Sequence, residues 1–277
     1  MDKIVAIFRV FFRYRHLMVN LVKRDLKVKY RRSFLGILWS VINPLFMMLV
    51  MSIVFGYMFD GFVASNSLPD NSQTGLAPNF LVYVFSGQIL FAAFSDSTTN
   101  AMDSIIGNSQ LIKKVYIPKY IFPLGKVIFA FVNTVFSLIA FVIVMIFTNT
   151  PLTIWFLLIP IFLLQFSLFC LGIGLALSSL VVFYRDIKHF YTVFMLAITY
   201  LTPIFYPEAF LGENTLALAV IKINPLYWFL STFRELTIFG NLPSIRYVVI
   251  TCIWSVFSLL TGLFIFKKSQ DEFILYI

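Results

Sequence analysis

Residues 126–147 read KVIFAFVNTVFSLIAFVIVMIF, and Lys126 at the start is the only charged residue in this stretch. A helix needs about 20 mostly apolar residues to cross the hydrocarbon core of a bilayer. The stretch is therefore long enough to span a membrane. It predicts that the chain is a helical integral membrane protein.

Five further stretches have a similar character. The six predicted spans cover residues 34–59, 79–98, 126–147, 152–183, 190–205 and 247–266. The fourth exceeds the length that a bilayer requires, and the fifth is short and ends in the proline-broken segment TPIFYP. We therefore expect an all-α integral membrane protein with six transmembrane helices.

The composition of the whole chain supports this class. Of the 277 residues, 60% are hydrophobic and 12% are charged, whereas soluble domains contain about 25% charged residues. So few charges cannot cover a water-facing surface, which excludes a soluble globular enzyme. The 34 Phe and 13 Tyr exclude a disordered chain. Cys170 and Cys252 lie in apolar stretches without metal-type spacing, and we expect them to be packing residues.

The basic residues are distributed unevenly between the two predicted sides of the membrane. Of 21 Lys and Arg, only Lys222, Arg234 and Arg246 fall in the segments on one side. Segments that stay in the cytoplasm carry the excess of Lys and Arg. We therefore expect a multi-pass protein of the bacterial cytoplasmic membrane with both termini in the cytoplasm. The charges would then orient the chain and would not bind nucleic acid.

We expect one transmembrane domain over residues 1–277, with a cytoplasmic interfacial segment at 1–32, a six-span core at 33–266 and a cytoplasmic tail at 267–277. Residues 2–18 alternate charged and apolar side chains with helical spacing, which predicts an amphipathic helix in the membrane interface. A basic tail that only sets the topology is the alternative. The charged face holds Asp2, Arg9, Arg13 and His16, and the apolar face holds Ile4, Phe8, Phe11 and Phe12.

The connection between the second and third spans is both basic and apolar. Residues 111–117 read LIKKVYI, and Pro118 follows them. A bare connector would not expose so many apolar side chains to water. The pattern predicts a short amphipathic helix that docks on a cytoplasmic partner and ends before the proline. A helix resting on lipid headgroups is the alternative.

The segment between the fifth and sixth spans is unusually apolar for a loop. Pro203, Pro207 and Pro225 divide it into pieces shorter than a span. Residues 216–223 and 226–236 predict half-helices that enter the membrane from outside and return, because non-spanning backbone is tolerated at that depth where it lines a cavity. This favours a gate or a pore lip.

Motifs for catalysis or metal binding are missing from the sequence. It contains no H-E-x-x-H, no Cys/His cluster, no G-x-S-x-G and no Walker A motif. We expect no catalytic residue, metal or cofactor in this chain. Ionisable residues are nearly missing from the spans, and the only candidate is Asp96, toward the cytoplasmic end of the second span; this disfavours a proton- or sodium-driven transporter. A membrane-bound acyltransferase, with His189 as its catalytic residue, stays an alternative.

Five groups of residues, in order along nearly the whole chain, resemble one family. RDLKVKY at 24–30 is followed by Ser33, by LG at 35–36, by Trp39 and by NP at 43–44, and residues 108–123 contain LIKK and IPK. YRDI at 184–187, PIFY at 203–206 and NPLY at 224–227 follow, with Arg234 further on. These residues resemble the type 2 ABC exporter permeases for polysaccharides, which include the O-antigen permease Wzm, the teichoic acid permease TagG and the capsule permeases.

This resemblance implies a homodimer of six-span subunits around a central conduit, with two copies of a separate ATPase subunit that binds ATP and Mg. It implies a lipid-linked glycan as the substrate, and no nucleic acid. A permease for a drug or a lipid is the alternative within the same transporter class. The residues implied to couple the permease to the ATPase are Leu111, Lys113, Lys114, Tyr116, Pro118, Arg185 and Asp186.

Two further sets of residues carry hypotheses about the substrate. Basic residues just before the first span could hold a lipid phosphate, or they could only orient that span. These are Arg24, Lys27, Lys29, Arg31 and Arg32. Aromatic residues of the first and fifth spans could line the conduit, because sugars slide on aromatic faces, or they could pack against lipid and helices. These are Trp39, Phe46, Tyr57, Tyr200, Phe205 and Tyr206.

Overall fold

The computed structural model describes residues 2–31, 33–58, 68, 79–208 and 215–276, and for residues 2–13, 52, 54–58, 215 and 217 it describes the backbone alone. Every regular element in these ranges is helical, which confirms the all-α prediction. A helix lies at each of the six predicted spans. They are α2 (Trp39–Met58), α3 (Phe80–Met102), α6 (Ile121–Phe147), α7 (Ile159–Phe183), α8 (Ile187–Leu201) and α11 (Ile245–Ser269).

Four of these helices are long and apolar enough to cross a membrane, counting only the described residues. They are α3, α6, α11, and α7 together with the 3-10 turn Ile154–Leu158 that precedes it. The first and fifth predicted spans contain shorter apolar helical stretches, Gly36–Met51 and Ile187–Leu201. The chain is therefore a multi-pass membrane protein.

The ends of two helices differ from the predicted spans for local reasons. Gly36 has a φ of +53° and begins the 3-10 turn Gly36–Leu38. Helix α2 therefore starts after this turn, at Trp39, and not at residue 34. Helix α6 starts at Ile121, before the predicted residue 126. Pro123 lies in its first turn, where a missing backbone N–H removes no hydrogen bond from the helix.

Six shorter or peripheral α-helices and the π-helix Glu235–Phe239, which continues α10, lie in the rest of the described chain. Helix α1 continues beyond the predicted residues 2–18, whereas the predicted helix at 111–117 ends three residues early. Helices α9 and α10 occupy the two predicted half-helix segments. The six are α1 (Asp2–Lys29), α4 (Ser104–Gly107), α5 (Ser109–Lys114), α9 (Thr215–Ile223), α10 (Pro225–Arg234) and α12 (Phe273–Tyr276).

Small residues bring α7 and α11 close together. A side chain added at Gly262 would lie 2.7 Å from the carbonyl carbon of Gly172 and 2.9 Å from its Cα atom. Ser258 of α11 donates a 2.8 Å hydrogen bond to the backbone oxygen of Phe169. In a bilayer, helices associate through such close backbone packing, because lipid is as apolar as the side chains.

One end of the bundle, which we name the basic end, is closed by an apolar cluster. Ile105, Ile121, Leu175 and Phe266 are buried there and belong to α4, α6, α7 and α11. Helix α1 joins the cluster through Leu21. The basic residues of the elements that meet at this end include Lys113, Lys114, Lys119, Lys126, Arg185, Lys188, Lys267 and Lys268.

Candidate functional site

The predicted docking helix is shorter than expected, and it turns part of its apolar face inward. Helix α5 ends at Lys114, and Val115 has an extended backbone. Ile112 and Ile117 are 7% and 9% exposed and belong to the cluster at the basic end. Both were expected to be exposed, and the cluster explains the difference because it removes their apolar surface from water.

The exposed part of this connection is a small basic and aromatic projection, which we name the α5 tip. It consists of Lys113, Lys114, Val115 and Tyr116. The side chain of Tyr116 is 95% exposed. Leu111 and Pro118, which were predicted to belong to the same surface, are half-buried beside it.

The predicted turn at Arg185 and Asp186 joins α7 to α8 at the same end of the bundle. Both side chains are exposed, while Val182, one turn earlier in α7, is buried in the cluster that also holds Ile112. Lys188 of α8 forms an ion pair with Asp103, which lies between α3 and α4. The α5 tip and the turn are therefore both attached to the apolar cluster at the basic end.

The chain between α5 and α6 is attached to the C-terminal tail by Lys119. Its Nζ atom donates to the backbone oxygen of Gln270 and lies 5.6 Å from the centre of the Phe273 ring. Burial lowers the pKa of Lys119 from its ordinary value because it disfavours the charged form, and the nearby Asp271 carboxylate partly opposes this shift.

The basic residues of α1 are divided between two surfaces. Arg24, Lys27 and Arg31 line a surface groove of about 530 Å³, together with Lys23 and Asn20. Lys29 lines a different cavity on the other side of α1. Arg32 lies outside the described residues.

Two polar contacts hold this part of α1 against the bundle. Arg24 donates to the Asp25 carboxylate at 3.1 Å and to the Asn108 side-chain oxygen at 3.3 Å. Lys126 of α6 pairs with Asp25 at 2.8 Å. The groove is therefore attached firmly to α6 and to the α4–α5 connection.

A polar cavity of about 640 Å³ lies between α1, α2, α3 and α6. Lys29 lines it from the end of α1. Part of its wall is a hydrogen-bonded group in which the Tyr30 hydroxyl contacts the Ser40 hydroxyl and the Asn133 side-chain oxygen. Its other polar lining residues are Ser33, Asn43, Gln88, Asp96 and Ser137, and its apolar ones are Trp39, Pro44, Met47, Phe85, Ile89 and Ala92.

The predicted conduit aromatics form two groups. On α2, the rings of Trp39 and Phe46 are 6.5 Å apart, and both side chains are exposed. The side chain of Tyr57 lies outside the described residues. At the end of α8, Tyr200 is exposed and its backbone oxygen accepts a 2.9 Å hydrogen bond from the Tyr206 hydroxyl. Phe205 is half-buried against the core.

Sequence reasoning placed Arg234 in the predicted half-helix 226–236 and among the family motifs but assigned it no contact. Arg234 is 3% exposed, and its guanidinium lies 3.5 Å from the centre of the Tyr83 ring. It donates to the backbone oxygens of Pro203, Ile204 and Tyr83 at 2.8, 3.2 and 3.3 Å. The apolar segment YWFLSTFR could have indicated that Arg234 is buried. A buried Arg needs hydrogen-bond partners, so the segment also pointed to contacts of this kind.

Asn224 has a similar role at the break between α9 and α10. Its side-chain oxygen accepts from the backbone N–H of Leu226 at 3.0 Å, which caps α10, and its amide donates to the Thr202 hydroxyl at 2.8 Å. Asn224 and Arg234 together attach α10 to the end of α8. No group of three or more His, Cys, Asp and Glu residues that could hold a metal occurs among the described residues.

Comparisons with known proteins agree with this architecture. Residues 16–238 match the profile of the ABC-2 type transporter family. The chain is 29% and 30% identical to two proteins of Klebsiella pneumoniae, each named O-antigen export system permease protein RfbA, over 93% of both chains. It is 26% identical to a Myxococcus xanthus protein of the same name, over 97% of this chain and 98% of the relative. The chain therefore belongs to the ABC-2 type transporter family.

Proposed function

We propose that this protein is the permease subunit of an ATP-driven exporter that moves a lipid-linked polysaccharide across the cytoplasmic membrane. The substrate class is O-antigen, capsule or teichoic acid. The observation that carries the proposal is the polar cavity, which opens at the surface of an otherwise apolar helical bundle and has Lys29 and several hydroxyl and amide side chains in its mixed lining. Its hydroxyl and amide side chains suit a glycan better than an apolar drug or a lipid tail. The names of the relatives point to the same substrate class.

The proposed topology has six spans and two cytoplasmic termini. The concentration of Lys and Arg at the basic end supports this orientation, because cytoplasmic segments carry the positive excess. Helix α8 has 15 residues, or about 22 Å of helix, and needs the following residues up to Tyr206 to complete the crossing. Helices α9 and α10 would then enter the outer leaflet without crossing it.

The proposed partner is a separate ATPase subunit, which would bind ATP and Mg and contact the basic end. The α5 tip supports this proposal because it exposes a tyrosine between basic residues, and buried tyrosine anchors contribute strongly to protein interfaces. Arg185 could pair with a carboxylate on the ATPase. The α5 tip and the Arg185 turn are attached to the same apolar cluster at the basic end. A movement of the ATPase against either of them would therefore be transmitted to α7.

The proposed route of the substrate begins beside α1 and continues between two copies of the chain. The groove lined by Arg24, Lys27 and Arg31 would attract the lipid phosphate first, before the lipid moves on to Lys29 and the polar cavity. The exposed aromatic rings of Trp39, Phe46 and Tyr200 would face the second copy across the conduit. A homodimer is therefore part of the proposal.

The experiment that tests the exporter is a purification of the tagged chain from its native membranes in a mild detergent. We expect a Walker A ATPase to be recovered in equal amount, and to be lost from a Lys114→Glu, Tyr116→Ala double variant. Lys268→Glu, an equal charge change at another exposed lysine of the basic end, is the matched control and should retain the ATPase.

Deletion of the gene tests the substrate class. We expect the deletion strain to lose its surface polysaccharide and to accumulate the lipid-linked form inside the cell, and the wild-type gene to restore export. Recovery of the chain without an ATPase in several detergents would overturn the exporter. An unchanged surface polysaccharide would overturn the glycan substrate and favour a drug or a lipid.

A further inference from the structure

We propose that the polar cavity binds the first sugar of the glycan through Asn43, Gln88 and Asp96, while Lys29 holds the adjoining phosphate. This inference rests on the proposed lipid-linked glycan substrate and adds a sugar subsite to it. The three residues belong to α2 and α3, and all of them line the same cavity as Lys29.

Asn43 and Asp96 are exposed and Gln88 is half-buried, and none of the three side chains has a hydrogen-bond or ion-pair partner among the described residues. Several other polar side chains of α3 bond within the protein. Ser97 donates to the backbone oxygen of Phe94 at 2.9 Å, and Thr98 donates to the same oxygen at 2.7 Å. Polar groups at membrane depth are costly when unpaired, and an acid there marks a functional site by default. Their shared cavity indicates that a ligand supplies the missing partners.

The spacing of the polar groups suits a sugar ring. Gln88 and Asp96 are eight residues apart on α3, which places them on one face and about 12 Å apart along the axis. Ala92 lies between them and leaves the space open. Asn43 faces this strip from α2, and Trp39 adds a flat apolar surface one turn away.

The chemistry of these groups favours a sugar over other ligands. A carboxylate accepts hydrogen bonds from hydroxyls, and an amide both donates and accepts, which together match neighbouring sugar hydroxyls. The Trp39 ring can cover the apolar face of the sugar. A phosphate would be repelled by Asp96, and an acyl chain would leave all three polar groups unsatisfied. The phosphate therefore belongs at Lys29 and the sugar deeper, beside Asp96.

The wall of the cavity is held in place before any ligand binds. The Asn133 amide donates to the backbone oxygen of Phe129 at 3.1 Å, and the side-chain oxygen of Asn133 accepts from the Tyr30 hydroxyl. Ser40 of α2 completes this group. A preformed wall lowers the entropy lost on binding.

The test compares two lipids on the purified complex of permease and ATPase in nanodiscs. The probes are undecaprenyl diphosphate carrying the native glycan, extracted from the source strain, and undecaprenyl diphosphate without sugar. We expect wild-type protein to bind the glycosylated lipid more tightly. Asn43→Leu, Gln88→Leu and Asp96→Asn should each reduce this preference by about threefold to tenfold, the range for one lost hydrogen bond.

Three further variants separate the sugar subsite from other effects. Lys29→Gln should weaken both lipids equally, because it contacts the shared phosphate. Ala92→Met should remove the preference by filling the cavity while all polar groups stay in place, so it tests the subsite even if a polar variant fails to fold. Gln110→Leu, at an exposed glutamine of α5, is the control and should change nothing.

The outcomes distinguish the subsite from the proposed function. Wild-type protein that binds both lipids equally would overturn the sugar subsite while leaving a phosphate-binding exporter intact. Cavity variants that weaken the sugar-free lipid as much as the glycosylated one would also overturn it, because the cavity would then hold the phosphate. Wild-type protein that binds neither lipid would overturn the proposed lipid-linked substrate itself.

Discussion

The close crossing of α7 and α11 makes a quantitative prediction for Gly262→Ala. The added methyl group would lie 2.7 Å from the Gly172 carbonyl carbon and 2.9 Å from its Cα atom, whereas ordinary contacts begin at 3.4 Å. The nearest atom of all is the Gly172 backbone oxygen, so every close neighbour is a backbone atom and no side chain can rotate away. The two helices would have to separate by about 0.7 Å or more, which weakens dispersion contacts along the whole crossing.

Two opposing effects set the size of the change. Overpacking costs about 1–3 kcal/mol, and we expect the upper value because the collision is with backbone. Alanine is better than glycine inside a helix by about 1 kcal/mol. The net loss in the free energy of unfolding is therefore about 2 kcal/mol. Gly125→Ala in α6 is the matched control, because a side chain there meets nothing within 4 Å, and it should be neutral or stabilising.

The assay is reversible unfolding of the purified permease by increasing SDS in mixed micelles, followed by circular dichroism. Both variants and the wild-type protein are measured at the same detergent ratio. A Gly262→Ala variant as stable as wild-type protein would show that the helices do not cross at this distance. An equal loss in Gly125→Ala would show that the cost comes from the alanine and not from the crossing.

Three further predictions use the same unfolding assay. Arg234→Lys should lower the free energy of unfolding by about 2–3 kcal/mol, because a lysine cannot replace the guanidinium fork that binds three backbone oxygens; a change below about 0.5 kcal/mol would contradict this role. Asp25→Asn should lower the free energy of unfolding by about 1 kcal/mol, because it breaks the ion pair with Lys126. Adding Lys126→Met to this variant should lower it little further, and a double variant whose loss equals the sum of the two single losses would refute the pairing. Ile112→Ala should cost about 2–5 kcal/mol, while the exposed neighbour change Lys113→Ala should cost less than about 0.5 kcal/mol; equal effects would mean that α5 does not face inward.

Features that depend on neighbouring residues along the chain could be predicted from the sequence. The length and the hydropathy of a stretch such as 126–147 can be read from that stretch alone, and they are enough to indicate an apolar helix. The break between α9 and α10 at Pro225 is local as well, because proline restricts its own backbone and that of the residue before it. The ordered motifs from Arg24 to Arg234 indicated the family, which the match over residues 16–238 confirms.

Features that depend on distant residues could not be predicted in this way. The pattern LIKKVYI shows an apolar helical face but not what covers it, and only the cluster at the basic end reveals that Ile112 faces inward. The same limit applies to the conduit aromatics, since Phe205 is half-buried while Tyr200 is exposed. Both residues belong to the same predicted span, 190–205.

The sequence by itself determined the helical class, the positions of the apolar helices and the asymmetry of charge, because each of these depends only on residues that are close together along the chain. Only the tertiary structure decided which polar groups meet. Arg234 reaches Tyr83 across 151 residues, and Asn43, Gln88 and Asp96 share a cavity only because α2 and α3 pack side by side. Partners so far apart in the chain leave no local pattern, since their contact depends on the packing of whole helices.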